Sequence, residues 1–232
     1  GGGGRSQPTS LLPGPPGRGA GGTDAVVKVG GSLQERGEAL KRICSLLRSL
    51  SDDYDLVVIP GGGRMADTVR ELQRKLGFSE EAAQWMAILG MEAYGILLRE
   101  LLRWRCTSSL KEVKGGTVFL PFLELRKEKK LERSWRLTSD SIAAWLCGKV
   151  ECRTLVLVKG VEGIREGGRL RRVLTTKELR EMRTPTVDPL LPDLLEKGGI
   201  TCWVVGAKGM EGLEEVLKGG ETVGTRIVPV VE

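Results

Sequence analysis

Two strand–glycine–helix junctions decide the fold: Ala25-Val26-Val27-Lys28-Val29-Gly30-Gly31-Ser32 and Leu56-Val57-Val58-Ile59-Pro60-Gly61-Gly62-Gly63. In each, a short apolar run typical of a strand buried on both faces ends at glycines, and a helical pattern follows. Strands and helices keep alternating towards the C-terminus. The sequence therefore predicts an α/β fold, a three-layer αβα sandwich around a mainly parallel sheet.

The same patterns place the individual elements. Strands are predicted at 25–29, 56–59, 117–122, 153–158, 201–205 and 225–231, with a polar hairpin at 161–173. Helices are predicted at 33–50, 64–76, 79–104, 138–149, 188–198 and 209–217. In the long helix we expect a buried stripe of Trp85, Ile88, Leu89, Ala93, Ile96 and Leu97. Trp85 and Met86 either belong to the core or flank a ligand pocket.

Glycine and proline concentrate at the start of the 232-residue chain. Residues 1–23 cannot bury enough apolar surface to offset their ordering entropy, so they predict a disordered tail before a globular domain at 24–232. No apolar stretch approaches the ~20 residues of a membrane span. Leu11-Leu12 is cut at once by Pro13, so no secretory core is evident and a cytoplasmic location is expected.

Composition excludes several kinds of chemistry. The chain has no histidine, and its five cysteines show no CxxC spacing, which argues against a zinc site, a Ser-His-Asp triad and histidine acid–base catalysis. Lys plus Arg number 36 against 30 Asp plus Glu, a net charge of +6. Because the basic residues alternate with acidic ones and Phe and Tyr are few, a small phosphorylated substrate is favoured over nucleic acid.

Both glycine junctions predict anion binding. Glycines let backbone N–H groups approach a phosphate, and the helix behind each adds the positive end of its dipole. After parallel strands, both turns lie at the sheet edge where ligands bind. A single such turn could be only a tight connection. Neither matches a Walker A loop or a GxGxxG motif, so the cradle belongs to another architecture.

Three charged residues each allow a structural and a functional interpretation. Lys28, inside an apolar strand, either snorkels at a sheet edge or meets an anion, where it could neutralise a transferring phosphoryl group. Asp140, at a helix start, either caps that helix, orients Lys28 or helps to hold Mg²⁺. Lys159, at the end of the 153–158 strand, has the same two interpretations as Lys28.

Five motifs in order resemble the amino acid kinase superfamily, which includes uridylate, acetylglutamate and isopentenyl phosphate kinases. They are Val27–Ser32, Gly61–Gly63, Thr138–Ala144, Lys159–Gly163 and Gly219–Ile227, within a resemblance that covers about residues 25–230. It implies an amino acid kinase-like fold and an ATP-dependent, Mg²⁺-requiring kinase. It further implies an acceptor-binding lobe at about 24–150, a nucleotide-binding lobe at about 151–232, and a homo-oligomer.

Within the superfamily, three features look most like an archaeal subfamily of methanofuran biosynthesis. They are Glu81–Ile88, Trp135 and Val187-Asp188. Its members convert [5-(aminomethyl)furan-3-yl]methyl phosphate to the diphosphate with ATP. In that pattern a histidine is expected where this chain has Gln84.

The resemblance also implies a role for each matching residue. Lys28 would contact the transferring phosphoryl oxygens and Asp140 would organise that lysine. Nucleotide contacts are expected from Gly30, Gly31, Ser32, Lys159, Glu162 and Gly163. Acceptor contacts are expected from Gly61, Gly62, Gly63, Arg64, Thr138 and Ser139, and no metal ligand is assigned. Compared with the superfamily's KVDGV, the run Lys159–Gly163 has one inserted residue before its Gly and has Glu for Asp.

Two other functions on the same fold stay open. One is a uridylate-type or isopentenyl phosphate kinase, although the latter typically places a histidine in its substrate site. The other is a non-catalytic nucleotide- or oxyanion-binding protein. The presence of both Lys28 and Asp140 favours a catalyst over a binding protein.

Overall fold

The computed structural model describes residues 22–230, so the predicted tail at 1–23 lies almost wholly outside the described residues. Eight of the described strands form one sheet: β1 Ala25–Val29, β2 Leu56–Pro60, β3 Arg105–Thr107, β4 Thr117–Phe119, β5 Thr154–Val158, β8 Val173–Thr175, β9 Thr201–Val205 and β10 Thr225–Val228. Their order across the sheet is β3-β4-β2-β1-β5-β9-β10-β8. All neighbours pair in parallel except β9 and β10, which are antiparallel. The mainly parallel sheet is therefore confirmed.

A separate hairpin, β6 (Arg165–Glu166) and β7 (Arg169–Leu170), forms within the predicted 161–173 stretch. The helices are α1 Gly37–Leu50, α2 Gly63–Leu76, α3 Glu80–Leu102, α4 Phe122–Lys127, α5 Ser139–Lys149, α6 Thr176–Met182, α7 Leu191–Gly198, α8 Ala207–Glu211 and α9 Leu213–Leu217. Short 3₁₀ turns occupy Gly31–Glu35 and Leu110–Glu112.

Helices cover both faces of the sheet, which gives the three layers. On one face, α5, α6 and α7 bury an apolar cluster against the strands. On the other face, α1, α8 and α9 do the same, and α3 contributes side chains to both clusters. Side chains alternate along a strand, so Val27 and Val29 face α1 while Val26 and Lys28 face α5. This alternation directs Lys28 towards the start of α5.

The buried stripe predicted for the long helix is wrong. Leu89, Ile96 and Leu97 are 48%, 54% and 44% exposed, and only Ile88 of the predicted set is fully buried. The inward stripe is instead Ala83, Ala87, Met91, Tyr94, Leu98 and Leu102. Because α3 is apolar around most of its circumference, the sequence alone does not distinguish its inner face from its outer face.

Two predicted helices differ in detail from the structure. The first begins as a 3₁₀ turn at Gly31 before α1 starts at Gly37. The helix predicted at 209–217 is interrupted at Gly212, which separates α8 from α9. A Cβ at Gly212 would lie 2.2 Å from Thr222 Oγ1, so a glycine at the break leaves room for the Thr222 side chain, which precedes β10.

None of the helices within residues 22–230 is both long enough and apolar enough to span a bilayer.

Candidate active site

The carboxyl ends of β1, β2 and β5 lie level with one another. Val29 pairs with Pro60 on one side and with Val158 on the other. The Gly30 N–H donates to Val158 O and the Gly61 N–H donates to Val29 O, both at 2.8 Å. These bonds bring the turn at residues 30–32 (the Gly30 turn) beside the turn at 61–63 (the Gly61 turn). They also occupy the Gly30 and Gly61 amides, which the sequence analysis expected to meet phosphates.

The two turns touch backbone to backbone. A Cβ on Gly31 would lie 2.0 Å from Gly63 N, and one on Gly61 would lie 2.6 Å from Gly31 N. Real Cβ atoms do not approach other atoms so closely, so both positions require glycine. Gly63 also has a φ of +53°, in the left-handed region. The glycines thus allow the two turns to pack directly against each other.

A buried cluster of Lys28, Asp140 and Lys159 lies beside these turns. Lys28 Nζ is 2.9 Å from Asp140 Oδ1, and Lys159 Nζ donates to Asp140 Oδ2 at 2.7 Å. The Lys28 and Asp140 side chains are each 4% exposed and Lys159 is 17% exposed. Since β1 is a central strand, the edge-lysine interpretation of Lys28 is wrong. Asp140 pairs with both lysines rather than capping its own helix.

The cluster carries one positive charge in excess. Burial lowers the pKa of Lys28, and the Asp140 carboxylate opposes that effect. Burial alone would raise the pKa of Asp140, but the charges and hydrogen bonds of Lys28 and Lys159 hold it at about 2. A carboxylate that stays ionised between two ammonium groups fixes their positions. The remaining positive charge is suited to attract an anion.

Asp188 also lies at this site, although it is not among the predicted site residues. Its Oδ2 accepts from the Thr138 N–H at 3.2 Å, the Thr138 hydroxyl at 2.8 Å and the Ser141 N–H at 2.9 Å. Its Oδ1 accepts from the Leu190 N–H at 3.2 Å and from the Ser141 hydroxyl. Burial and the Asp140 charge raise the pKa of Asp188, and these hydrogen bonds oppose them.

The sequence signals only the local part of this arrangement. An Asp ahead of a helix is typical of a cap for that helix, and the Leu190 contact fits this pattern. Its contacts with Thr138 and Ser141 join residues about fifty positions apart. Such a pairing is a product of the fold.

The turns, the cluster and Asp188 border one cavity of about 1180 Å³. Six basic side chains line it: Lys28, Arg36, Arg70, Lys159, Arg180 and Arg183. Three acidic side chains, Asp67, Asp140 and Asp188, also line it. Basic side chains thus outnumber acidic ones in this lining, and its four arginines are not among the predicted site residues.

Most of the predicted site residues meet at this cavity. Those that line it are Lys28, Gly30, Gly31, Ser32, Gly62, Gly63, Thr138, Ser139, Asp140 and Lys159. Gly61 lies just behind the lining. Trp85 and Met86 are outside it, whereas Trp135 and the neighbouring Gln84 line it.

Three predicted residues lie elsewhere. The Arg64 side chain is 78% exposed and lies 3.6 Å from Glu35, so it does not clamp a ligand in this arrangement. The Glu162 carboxylate accepts N–H bonds from Gly206, Lys208 and Gly209 at the start of α8, which explains a glutamate there without a nucleotide. Gly163, with a φ of +90°, packs against Thr225.

Gln84 has a fixed amide orientation. Its Nε2 donates to Ser134 O at 3.0 Å and to Leu137 O at 3.2 Å. The side chain is buried, and within the described part of the chain its Oε1 meets no hydrogen-bond donor. The amide therefore holds the loop before α5 against α3.

The acidic residues do not form a ready-made metal site. Residues 22–230 contain no group of three His, Cys, Asp or Glu side chains placed to hold a metal ion. The Asp140 oxygens face two lysines, and the Asp188 oxygens are occupied by N–H and O–H donors. Mg²⁺ commonly binds through substrate phosphates and water with few protein ligands, and only that mode suits these residues.

Comparison with known proteins agrees with this geometry. Residues 25–121, which carry both glycine turns and Lys28, match the Amino acid kinase family. Over this segment the chain is similar to the amino acid kinase family. It is 26% identical over 214 residues to the [5-(aminomethyl)furan-3-yl]methyl phosphate kinase of Methanocaldococcus jannaschii. The alignment covers 88% of this chain and 98% of that protein.

Other kinases of the family show the same correspondence. The uridylate kinase of Pyrococcus abyssi is 22% identical, covering 83% of this chain and 92% of its own length. The crystal structure of the uridylate kinase of Archaeoglobus fulgidus superposes with a TM-score of 0.70 at 20% identity, covering 88% and 99% of the two chains. The amino acid kinase fold is thus confirmed, and the named kinases among the relatives support a phosphotransferase that uses a nucleotide.

Proposed function

We propose that this chain is an ATP-dependent kinase that transfers the γ-phosphoryl group to a small phosphorylated acceptor, with [5-(aminomethyl)furan-3-yl]methyl phosphate as the first candidate. The observation that carries the proposal is the buried Lys28–Asp140–Lys159 cluster beside two touching glycine turns. Two ammonium groups held by one carboxylate suit a triphosphate and a phosphate acceptor that both bring negative charge.

In this mechanism the chain contributes position and charge. Lys28 neutralises charge on the phosphoryl group in transit, and Asp140 holds Lys28 and Lys159 apart at fixed points. Phosphate contacts of the glycine turns fall to the amides of Gly31, Gly62 and Gly63, because those of Gly30 and Gly61 bond within the sheet. A phosphate acceptor is already ionised, so no histidine base is needed.

The two substrates would approach from different halves of the cavity. We assign the acceptor to residues of the 24–150 lobe, including Thr138 and Ser139, and the nucleotide to the side of Lys159 in the 151–232 lobe. When bound, Mg²⁺ would supply positive charge against the phosphates of the nucleotide, and the residues described here offer it no cage of their own. A volume of about 1180 Å³ accommodates both substrates at once.

The acceptor candidate rests on the relative from Methanocaldococcus jannaschii, 98% of whose length aligns with this chain. Uridine monophosphate is the second candidate, because uridylate kinases recur among both the sequence relatives and the structural neighbours. Gln84 and Trp135 border the cavity and would contact whichever acceptor binds.

An ADP-release assay with ATP and Mg²⁺ tests the proposal. The acceptors compared are the aminomethylfuran phosphate, uridine monophosphate and isopentenyl phosphate, each at equal concentration. We expect turnover with the first and little with the others. Lys28→Met should abolish turnover, whereas Lys41→Met, at an exposed lysine that pairs with Glu38 outside the cavity lining, should leave it unchanged. Stoichiometric ATP binding without turnover on any acceptor would instead support a non-catalytic binding protein.

A further inference from the structure

We propose that Asp188 is a positioning residue, which fixes the Asp140 carboxylate by capping α5 from a distant part of the chain. The inference rests on the proposed function, because it concerns the cluster to which catalysis is assigned. Asp188 itself touches no reacting group in this proposal. It acts through the helix turn that carries Asp140.

The start of α5 lacks a cap of its own. Thr138 precedes the helix in an extended conformation, yet its side chain makes no capping bond to the helix. Its hydroxyl donates to Asp188 Oδ2 instead, at 2.8 Å. The same oxygen receives the N–H groups of Thr138 and Ser141, which are the two amides that a local capping box satisfies. A carboxylate some fifty residues away thus replaces the usual local cap.

Asp140 lies inside the turn that this carboxylate holds. It sits between Thr138 and Ser141, and its own oxygens reach Lys28 at 2.9 Å and Lys159 at 2.7 Å. Asp188 is in turn fixed through Oδ1 to the Leu190 N–H at the start of α7 and to the Ser141 hydroxyl. Only 7% of the residue is exposed, so water does not readily replace these bonds. A shift of Asp188 would therefore move Asp140 relative to both lysines.

Two substitutions separate this role from general stability. In Asp188→Asn the amide oxygen can occupy the Oδ2 position and keep the cap on α5. The amide nitrogen, in place of Oδ1, can donate to the Ser141 hydroxyl but no longer accepts the Leu190 N–H, a bond to α7 that Asp188→Ala loses as well. In Asp188→Ala the cap is lost altogether. A displacement of about 1 Å at a reacting centre costs about 100-fold in turnover. We therefore expect kcat to fall about 100-fold in Asp188→Ala, with KM for ATP little changed, and to recover largely in Asp188→Asn.

Ser79→Ala is the matched control. The Ser79 hydroxyl accepts the Ala82 N–H at 3.2 Å and caps α3, outside the cavity lining. Its loss should lower the melting temperature without changing kcat. If Asp188→Ala behaves like Ser79→Ala, or if Asp188→Asn is as slow as Asp188→Ala, the positioning role is overturned.

Amide hydrogen exchange tests the cap on α5 without requiring turnover, so it can distinguish failure of this inference from failure of the proposed function. Should the native chain turn over no acceptor, the kinase proposal fails, but exchange at the Ser141 N–H still tests the cap. Faster exchange in Asp188→Ala and not in Asp188→Asn would support it. Equal exchange in all three proteins would overturn it.

Discussion

The contact between the two glycine turns gives the sharpest test of how the site is built. In Gly31→Ala the new Cβ would lie 2.0 Å from Gly63 N, 2.3 Å from Gly63 Cα and 2.7 Å from Gly62 C. Ordinary contacts begin at 3.4 Å, so the turns must separate by about 1.4 Å, the difference between 3.4 and 2.0 Å. All three atoms are backbone, so no side-chain rotation relieves the overlap. Both turns, and any phosphates on them, move relative to Lys28.

Two consequences follow from that displacement. Misplacing reacting groups by about 1 Å costs about 100-fold in turnover. Overpacking of a tight contact typically destabilises a protein by about 1–3 kcal/mol. We therefore expect Gly31→Ala to remain folded, with a lower melting temperature, and to lose about 100-fold or more in kcat.

The assay is ADP release by the purified full chain, with thermal unfolding measured in parallel. Gly37→Ala is the matched control, because the same substitution six residues further on has nothing within 4 Å of the added Cβ. It should retain native turnover. Native turnover in Gly31→Ala would show that the turns need not touch for catalysis and would refute this reasoning.

Three further predictions concern charged groups. Asp140→Asn should abolish turnover and lower the free energy of unfolding by about 2 kcal/mol at pH 7, because the folded carboxyl has a pKa of about 2 against 3.8 ordinarily. This stabilisation is present at pH values above the pKa of the unfolded carboxyl and is lost as the pH falls through the pKa of the folded one. The free energies of unfolding of the native and variant proteins, measured with denaturant, should therefore converge near pH 2. A difference that persists at that pH would contradict this prediction. The Lys28 ammonium loses its charge as pH rises, and since burial lowers its pKa, kcat should decline on the alkaline side below pH 10.5. A pH–rate profile that stays flat to that pH would argue against a charged Lys28. Glu162→Ala should lower the free energy of unfolding by about 1 kcal/mol through the lost α8 cap, and leave KM for ATP unchanged. A large rise in KM would show a nucleotide contact instead.

Sequence patterns locate the elements that form the edge of the sheet. The predicted bounds of β1 and β9 match the structure, and β2 and β5 differ by one residue. Continuous apolar runs ended by glycine are a strong local signal for buried parallel strands. Because parallel strands end at one edge, these signals also bring Lys28 near both glycine turns. Much of the site geometry is therefore encoded in short segments.

Features that depend on distant contacts are not encoded in this way. The inner face of α3 differs from the predicted one. Apolar residues surround this helix, and the elements packed against it determine which of them are buried. Asp188 and Glu162 have carboxylates that cap helices begun by other parts of the chain. A carboxylate beside a motif gives the same local signal whether it binds a ligand or a helix start. Only the fold distinguishes these two uses.

A crystal structure of the full chain with a non-hydrolysable ATP analogue and Mg²⁺ tests the central claim most directly. We expect a phosphate oxygen within about 3 Å of Lys28 Nζ, with the triphosphate lying along the Gly30 turn and the Lys28–Asp140 contact intact. A triphosphate bound away from Lys28, or a Lys28 ammonium turned towards solvent, would contradict it.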